Sequence, residues 1–173
     1  MSTTNPSLPL DEEALYARLA QQVKTGLQGV EQVAIVGIHS GGAWLAERLA
    51  SELGLAERLG FVDVSFYRDD FSEKGLRADV KPSQIPFDVE GATILLVDDV
   101  LYTGRTIRAA LDALIEFGRP KAIQLIVLVD RGHRELPIKA DYVGKNVPTS
   151  LSQSVQVHLT EIDGRDEVEI LES

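Results

Sequence analysis

One stretch limits what this chain can fold into more than any other: residues 92–106, which read ATILLVDDVLYTGRT. Its apolar run from Thr93 to Val97 shows no alternation of polar and apolar side chains, which is typical of a parallel strand covered on both faces. Two adjacent carboxylates, Asp98 and Asp99, follow the run. Charges of this kind belong at the carboxyl end of a strand, where open α/β sheets bind their ligands. The stretch therefore predicts a central strand that ends at a ligand site.

A helical pattern follows the acidic pair (Asp98 and Asp99), beginning in the small-residue turn TGRT and ending at Gly118. A helix start preceded by glycine presents free backbone N–H groups and the positive end of the helix dipole, which suit a phosphate. The carboxylates just upstream suit the hydroxyls of a sugar attached to that phosphate, or a bound Mg²⁺. We therefore predict a ribose-phosphate site.

Other interpretations of the acidic pair explain less of the sequence. Two aspartates after an apolar strand also occur in Walker B motifs and in the acidic pocket of phosphorelay receivers. However, the chain has no GxxxxGK[ST] sequence to form a P-loop, and a receiver would carry its acidic pair near the start of the domain. A purely structural turn remains an alternative, because Asp, Thr and Gly also form caps and turns.

A second strand-loop-helix unit lies earlier in the chain. Val33–Ile38 reads as a strand, the sequence HSGG follows it, and leucines at four-residue spacing indicate a helix. Because parallel strands with helical crossovers bring their loops to one sheet edge, this loop is expected to face residues 100–106 across a cleft. Its glycines allow the backbone to approach oxyanions closely. His39 is the weaker candidate, since a histidine in a turn is often only exposed or hydrogen-bonded.

The remaining patterns predict one more helix and several strands. The helix covers residues 11 to about 27, single strands cover 61–67, 122–129 and 140–144, and a hairpin pairs 155–159 with 168–171 around Asp163-Gly164. Residues 1–9 are expected to be a loosely ordered leader. The long connection over about residues 68–86 is expected to be a flexible lid loop.

Composition limits the class of protein. A chain of 173 residues with 44% hydrophobic residues suits a single globular domain over residues 1–173. It contains no cysteine, which excludes disulfide and thiolate chemistry, and no apolar run of membrane-spanning length or secretory leader. We therefore expect a cytoplasmic protein that does not bind membranes. The net charge of −10 argues against an electrostatic nucleic-acid surface.

Two longer motifs resemble a known family. The sequence VDDVLYTGRT resembles the phosphoribosyl-pyrophosphate (PRPP) motif of type I phosphoribosyltransferases. The stretch GRPKAIQLIVLVDRGHRELPIKADYVGKNVPTS resembles the PyrR family, the pyrimidine-operon regulators with uracil phosphoribosyltransferase activity, and the similarity reaches back to FYRDDFSEKG. The resemblance implies an α/β type I phosphoribosyltransferase fold, with a central, mainly parallel sheet flanked by helices, a flexible lid loop and a small hood. It also implies a homo-oligomer, either dimer or tetramer.

The resemblance implies that uracil and PRPP are converted to UMP and pyrophosphate, with Mg²⁺ carried by PRPP rather than by dedicated protein ligands. Breaking the bond at the anomeric carbon develops oxocarbenium-like charge, so catalysis is an electrostatic and positioning task. Asp98 and Asp99 are expected to hold the ribose hydroxyls near that charge, and they are the candidate neighbours of the metal. Arg68, at the base of the lid, is the third candidate catalytic residue, through a pyrophosphate contact. Its alternative role is a structural ion pair with Asp69 or Asp70.

By the same resemblance the binding residues fall into three groups. The groups are a PRPP-binding segment (Asp98, Asp99, Val100, Leu101, Tyr102, Thr103, Gly104, Arg105 and Thr106), a pyrophosphate loop (His39, Ser40, Gly41 and Gly42) and a base pocket (Val129, Asp130 and Arg131). Many relatives carry basic residues in the pyrophosphate loop, whereas this chain has HSGG there. The negative charge of pyrophosphate must therefore be neutralised by Mg²⁺ and by residues from elsewhere. His133 and Arg134 are equally compatible with surface charges.

Two alternative functions stay open. The first is an RNA-binding attenuator that senses UMP or UTP and binds pyrimidine-operon leader RNA, with or without the enzyme activity. The acidic composition disfavours it, because residues 10–28 carry only Arg18 and Lys24 against three acids. The second is a purine phosphoribosyltransferase, which would share the PRPP segment but need a different base pocket.

Overall fold

The structure is a computed structural model that describes residues 10–64, 83–147, 149, 153–158 and 167–172. In chain order its elements are β1 (Leu10–Asp11), α1 (Glu12–Gly26), β2 (Val33–Ile38), α2 (Gly41–Leu53), β3 (Leu59–Val62), β4 (Thr93–Leu101), α3 (Arg105–Ile115), β5 (Ala122–Asp130), β6 (Tyr142–Asn146), β7 (Gln153–His158) and β8 (Glu167–Glu172). None of the helices described is long and apolar enough to span a membrane.

Five parallel strands form the central sheet in the order β3-β2-β4-β5-β6, which places β4 in the middle. The predicted α/β class, parallel sheet and central strand are thus confirmed. β4 continues through the acidic pair to Leu101, beyond the apolar run, because its pairing with β5 extends to Leu101 opposite Asp130. The apolar run marks where the side chains stop being apolar, whereas the backbone pairing of the strand continues past it.

Helices cover both faces of the sheet, and each face has its own apolar core. On one face α1 and α2 pack against β2, β4 and β5. The apolar stripe of α1, formed by Leu15, Leu19 and Val23 at four-residue spacing, is almost completely buried. On the other face α3 contributes Ile107 and Leu114 to the second core. This arrangement leaves the carboxyl edge of the sheet to the loops that follow each strand.

The second sheet has three antiparallel strands in the order β1-β8-β7. The predicted hairpin pairing is confirmed, with Val155 opposite Ile170, although its turn at Asp163-Gly164 lies outside the described residues. The two-residue strand β1 was not predicted, since so short a segment carries no periodicity. It pairs with β8 through Leu10 opposite Val168.

The bounds of β3 and β6 also differ from the predicted ones. β3 begins at Leu59, two residues early, because its parallel register with β2 starts there, and it ends at Val62. β6 runs from Tyr142 to Asn146 instead of 140–144, since its pairing with β5 starts at Ile126 opposite Tyr142. The predicted leader, and the predicted lid apart from residues 83–86, lie outside the described residues.

Candidate active site

The acidic pair lies at the carboxyl end of β4 with its carboxylates fixed by local bonds. Asp98 is 6% exposed, and its Oδ1 accepts a hydrogen bond from the backbone N–H of Asp99 (2.9 Å). The Oδ1 of Asp99 accepts from the N–H of Val100 (2.8 Å) in the same way. A carboxylate has about four acceptor positions, and each of these backbone bonds occupies one of them. The pair can therefore accept further bonds from sugar hydroxyls or a cation.

The pyrophosphate loop (residues 39–42) packs directly against this pair. A β carbon built on Gly41 would overlap the Asp99 carboxylate and lie 2.6 Å from its Cγ. A β carbon on Gly42 would overlap the carbonyl oxygen of Val97 and lie 2.9 Å from Asp98 Cα. The structure thus brings the two predicted loops to one edge, and the two glycines are what allow the close approach.

The other two residues of this loop have different surroundings. The His39 ring lies 5.3 Å from the Phe61 ring, between centroids, and its backbone N–H donates to the carbonyl of Val62 (2.9 Å). Ser40 is exposed and caps α2, whose first turn contains no acidic residue. The packing of His39 favours a structural role for its ring. The start of α2 keeps the N–H groups and dipole that suit an anion.

The phosphate loop (residues 102–106) leads into α3. Gly104 caps the helix with φ of +97°, a left-handed conformation that glycine adopts readily. Thr103 is buried, and its Oγ1 accepts from the N–H of Arg105 (3.2 Å). The first turn of α3 begins with Arg105 and has no acidic residue. These features suit a phosphate at the helix N-terminus.

A third segment, the base-side loop (residues 130–136), follows β5 at the same edge. The Asp130 carboxylate accepts from the N–H of Gly132 (3.0 Å) and forms an ion pair with Arg134 (Oδ2 to Nη2, 2.5 Å). Arg131 is only 7% exposed, and its Nε donates to the Oγ1 of Thr149 (3.2 Å). Val129 is completely buried in β5. Val129 and Asp130 pair with the end of β4, Arg131 lies over the ring of Tyr102, and the contact of all three residues with a base stays a prediction.

Sequence reasoning missed the roles of Arg134, His133 and Thr149. Arg134 donates to the backbone carbonyls of Ile138 (2.9 Å) and Tyr102 (2.8 Å) in addition to its ion pair. His133 Nε2 lies 2.5 Å from the carbonyl oxygen of Thr149. Charged residues in a polar loop resemble solvated surface charges. For His133 and Arg134, the signal that could have identified their roles is their position just after β5, a parallel strand inside the sheet. Thr149 follows the edge strand β6 and carries no such signal.

Arg68 and most of the predicted lid lie outside the described residues. Among the residues that the structure does describe, no three His, Cys, Asp or Glu side chains come together as a metal site. The acidic pair nevertheless fits a Mg²⁺ that arrives with a phosphorylated ligand, because Mg²⁺ is commonly held by one or two carboxylates together with water and substrate phosphates.

Comparisons with known proteins define the class. The family model for the phosphoribosyl transferase domain matches residues 10–162. A hypoxanthine phosphoribosyltransferase from Staphylococcus aureus superposes with a TM-score of 0.66, at 25% identity, over 94% of this chain and 89% of that one. A hypoxanthine-guanine phosphoribosyltransferase from Bacillus anthracis gives a TM-score of 0.67, at 20% identity, over 96% and 97%. The fold is that of a type I phosphoribosyltransferase.

Sequence relatives define the family more narrowly. The bifunctional protein PyrR of Thermus thermophilus is 54% identical over 168 residues, which cover 95% of this chain and 92% of the relative. The PyrR of Deinococcus radiodurans is 54% identical over 90% and 87%, and that of Brevibacillus brevis 49% over 96% and 97%. The chain belongs to the PyrR family, as the sequence motifs predicted.

Proposed function

We propose that this protein is a uracil phosphoribosyltransferase that converts uracil and PRPP to UMP and pyrophosphate. The observation that carries the proposal is the meeting of three loops at one sheet edge, where the acidic pair adjoins both a glycine-rich loop and a helix N-terminus. The PyrR family supplies the identity of the base, since its members combine uracil phosphoribosyltransferase activity with pyrimidine-operon regulation. The predicted function is confirmed at the level of the family.

The chain's own residues bind and orient PRPP in this proposal. The N–H groups at the start of α3, together with Thr103, Arg105 and Thr106, hold the 5′-phosphate. Asp98 and Asp99 accept hydrogen bonds from the ribose hydroxyls, which fixes the anomeric carbon in position. The pyrophosphate loop offers the start of α2 to the leaving group, and Arg68 is proposed as a further contact from the lid.

The chemistry requires charge stabilisation more than a nucleophile. As the bond between the anomeric carbon and the pyrophosphate oxygen breaks, positive charge develops on the ribose next to the acidic pair. Negative charge develops on the leaving pyrophosphate, and bound Mg²⁺ supplies Lewis-acid neutralisation of that charge. The same two carboxylates would hold the metal, with waters completing its coordination. Closure of the lid is proposed to exclude competing water.

The first test replaces the acidic pair. We expect Asp98→Asn with Asp99→Asn to abolish uracil-dependent pyrophosphate release while the thermal unfolding midpoint and circular dichroism stay close to those of the wild type. Asp112→Asn is the matched control, because Asp112 is 68% exposed on α3 and pairs with Arg108 one turn away. Normal turnover by the double variant would rule out the proposed site.

A panel of nucleobases tests the identity of the substrate. Purified protein is incubated with PRPP, Mg²⁺ and one base at a time, and pyrophosphate release is measured. We expect turnover with uracil and little with hypoxanthine or guanine, because mispaired buried polar groups cost about 1–3 kcal/mol each. Preference for a purine would support the alternative enzyme instead.

Sedimentation of the same preparation tests the proposed homo-oligomer.

RNA-linked regulation is the second candidate function, favoured by the bifunctional character of the relatives. The charge of α1 opposes it: residues 10–28 contain two cations, Arg18 and Lys24, and Lys24 is already paired with Glu52 (3.3 Å). Binding of pyrimidine-operon leader RNA should be measured at several salt concentrations with and without UMP or UTP. A nucleotide-dependent shift at physiological salt would establish this function. Absence of binding at low salt would exclude it.

A further inference from the structure

The base-side loop and the phosphate loop are joined by one side chain that contacts both. The guanidinium of Arg134 donates Nη1–H to the carbonyl of Tyr102 (2.8 Å) and Nη2–H to the carboxylate of Asp130 (2.5 Å). Its Nε donates to the carbonyl of Ile138 (2.9 Å), and the Ile138 side chain packs over Gly104. One planar group therefore spans the end of β5, the phosphate loop and the segment that covers its glycine.

The ion pair between Arg134 and Asp130 is better shielded from water than an ordinary surface ion pair. The side chains of Arg134 and Asp130 are 24% and 15% exposed, whereas the neighbouring pair of Arg105 and Glu135 is 53% and 54% exposed. Exposed pairs contribute little because water and salt screen them, while charge-assisted bonds in a partly buried, forked geometry are stronger. The ion pair with Asp130 lies within the base-side loop, and it holds the guanidinium that donates across to the phosphate loop at the carbonyl of Tyr102.

Further contacts join the same two loops. The Arg131 guanidinium lies 4.1 Å from the centroid of the Tyr102 ring, a cation-π distance, and its backbone N–H donates to the carbonyl of Leu101 (3.1 Å). The carbonyl of Thr103 accepts from the N–H groups of Glu135 (2.9 Å) and Leu136 (3.1 Å). Because side chains and backbone both cross between the loops, displacement of one loop strains the other.

We propose that Arg134 is a positioning residue that couples the base half of the site to the phosphate half. A ligand that orders either loop makes the other loop easier to order, which is positive coupling between two binding events. The inference rests on the proposed function, because it takes uracil as the ligand of one half and a ribose phosphate as the ligand of the other. It assigns Arg134 no contact with either substrate.

The test measures that coupling with two ligands that do not react with each other, uracil and ribose 5-phosphate. The Kd of uracil is determined by calorimetry with and without saturating ribose 5-phosphate, for the wild type and for Arg134→Gln. We expect ribose 5-phosphate to tighten uracil binding about five-fold or more in the wild type, and less than about two-fold in the variant. Steady-state kinetics should show kcat/KM for PRPP about ten-fold lower in the variant.

Two further variants separate positioning from general damage. Arg134→Lys keeps the charge but cannot reach a carboxylate and two carbonyls from one planar fork, so we expect it to lose most of the coupling as well. It also decides the result should Arg134→Gln fail to fold. Arg108→Gln is the matched control, since Arg108 is 67% exposed and pairs with Asp112 on the outside of α3; it should retain the coupling of the wild type.

The possible results show separately whether Arg134 couples the two loops and whether the protein has the proposed enzyme activity. A wild type that turns over uracil but shows no coupling overturns the coupling role alone, as does wild-type coupling in a folded Arg134→Gln or Arg134→Lys variant. Equal loss of coupling in Arg108→Gln also overturns it, because the effect would then not be specific to Arg134. A wild type that neither binds uracil nor releases pyrophosphate overturns the proposed function, and the coupling with it.

Discussion

Two loops of the candidate site occupy equivalent places in the fold and are held in different ways. The pyrophosphate loop and the phosphate loop each connect a parallel strand to the start of a helix. The first is set by close packing against β4, where a β carbon on Gly42 would meet backbone atoms and one on Gly41 would meet the Asp99 carboxylate. The second is held by hydrogen bonds and ring contacts from the base-side loop. The position of the first loop therefore depends on sterics, and that of the second on polar bonds that a ligand can influence.

Gly42→Ala should have the largest effect, because its methyl group would meet backbone atoms that cannot rotate away, the carbonyl of Val97 and Asp98 Cα. We expect the free energy of unfolding to fall by about 3 kcal/mol, as for other overpacked cores, and activity to fall with it. Urea unfolding measures this. Ser40→Ala, in an exposed part of the same loop, should change the free energy of unfolding by less than about 0.5 kcal/mol.

Gly41→Ala should separate activity from stability. Its methyl group would meet the end of the Asp99 side chain, which can rotate, so the protein should remain folded while the carboxylate is displaced. We expect kcat/KM for PRPP to fall about 100-fold, the usual consequence of misplacing a reacting group by about 1 Å. Initial rates and urea unfolding are measured on the same sample. Stability losses equal to those of Gly42→Ala would contradict the distinction.

Gly104→Ala tests the phosphate loop by the same change. Alanine at φ of +97° is strained, and its methyl group would lie 2.9 Å from Ile138 Cγ1. We expect a cost of about 2 kcal/mol, expressed mainly as a higher KM for PRPP. Adding Ile138→Ala should relieve the contact but leave the backbone strain, so the double variant should recover only in part. Complete recovery would show that the backbone conformation is unimportant.

Glu135→Gln should have the smallest effect. It removes the ion pair between Arg105 and Glu135 (2.7 Å), but both side chains are more than half exposed. Because exposed pairs contribute less than about 1 kcal/mol, kcat/KM should change less than about five-fold, with a weak dependence on salt. Titration of activity against NaCl for both proteins provides the measurement. A loss as large as that of Gly41→Ala would mean that the exposed pair, too, fixes the phosphate loop.

Much of the fold could be predicted because its main elements are local patterns. The unbroken apolar run of β4, the VAIVGI run of β2 and the stripe of α1 each record burial within a few residues. The loop-helix junctions could be predicted equally well, since glycine and threonine occur where the backbone must turn and bind a phosphate. Strand ends were less accurate, because registers such as Ile126 opposite Tyr142 are set by a distant strand.

The roles of individual loop residues depend on contacts between distant parts of the chain. The sequence alone does not show that Gly41 lies against Asp99, 58 positions later, or that Arg134 reaches the carbonyl of Tyr102, 32 positions earlier. Arg134 therefore resembled a surface charge until the fold placed it between two loops. The roles of Arg68 and the lid stay predictions, since they lie outside the described residues.

Two of the three bonds made by Arg134 end on backbone carbonyls, those of Tyr102 and Ile138. Every amino acid carries such a carbonyl, so the receiving positions can drift in sequence without losing these bonds. The donating position has no such freedom, because its replacement removes all three bonds at once. Over evolutionary time the connection between the loops should therefore appear as two constrained positions, 130 and 134, facing carbonyl partners at 102 and 138 whose side chains vary.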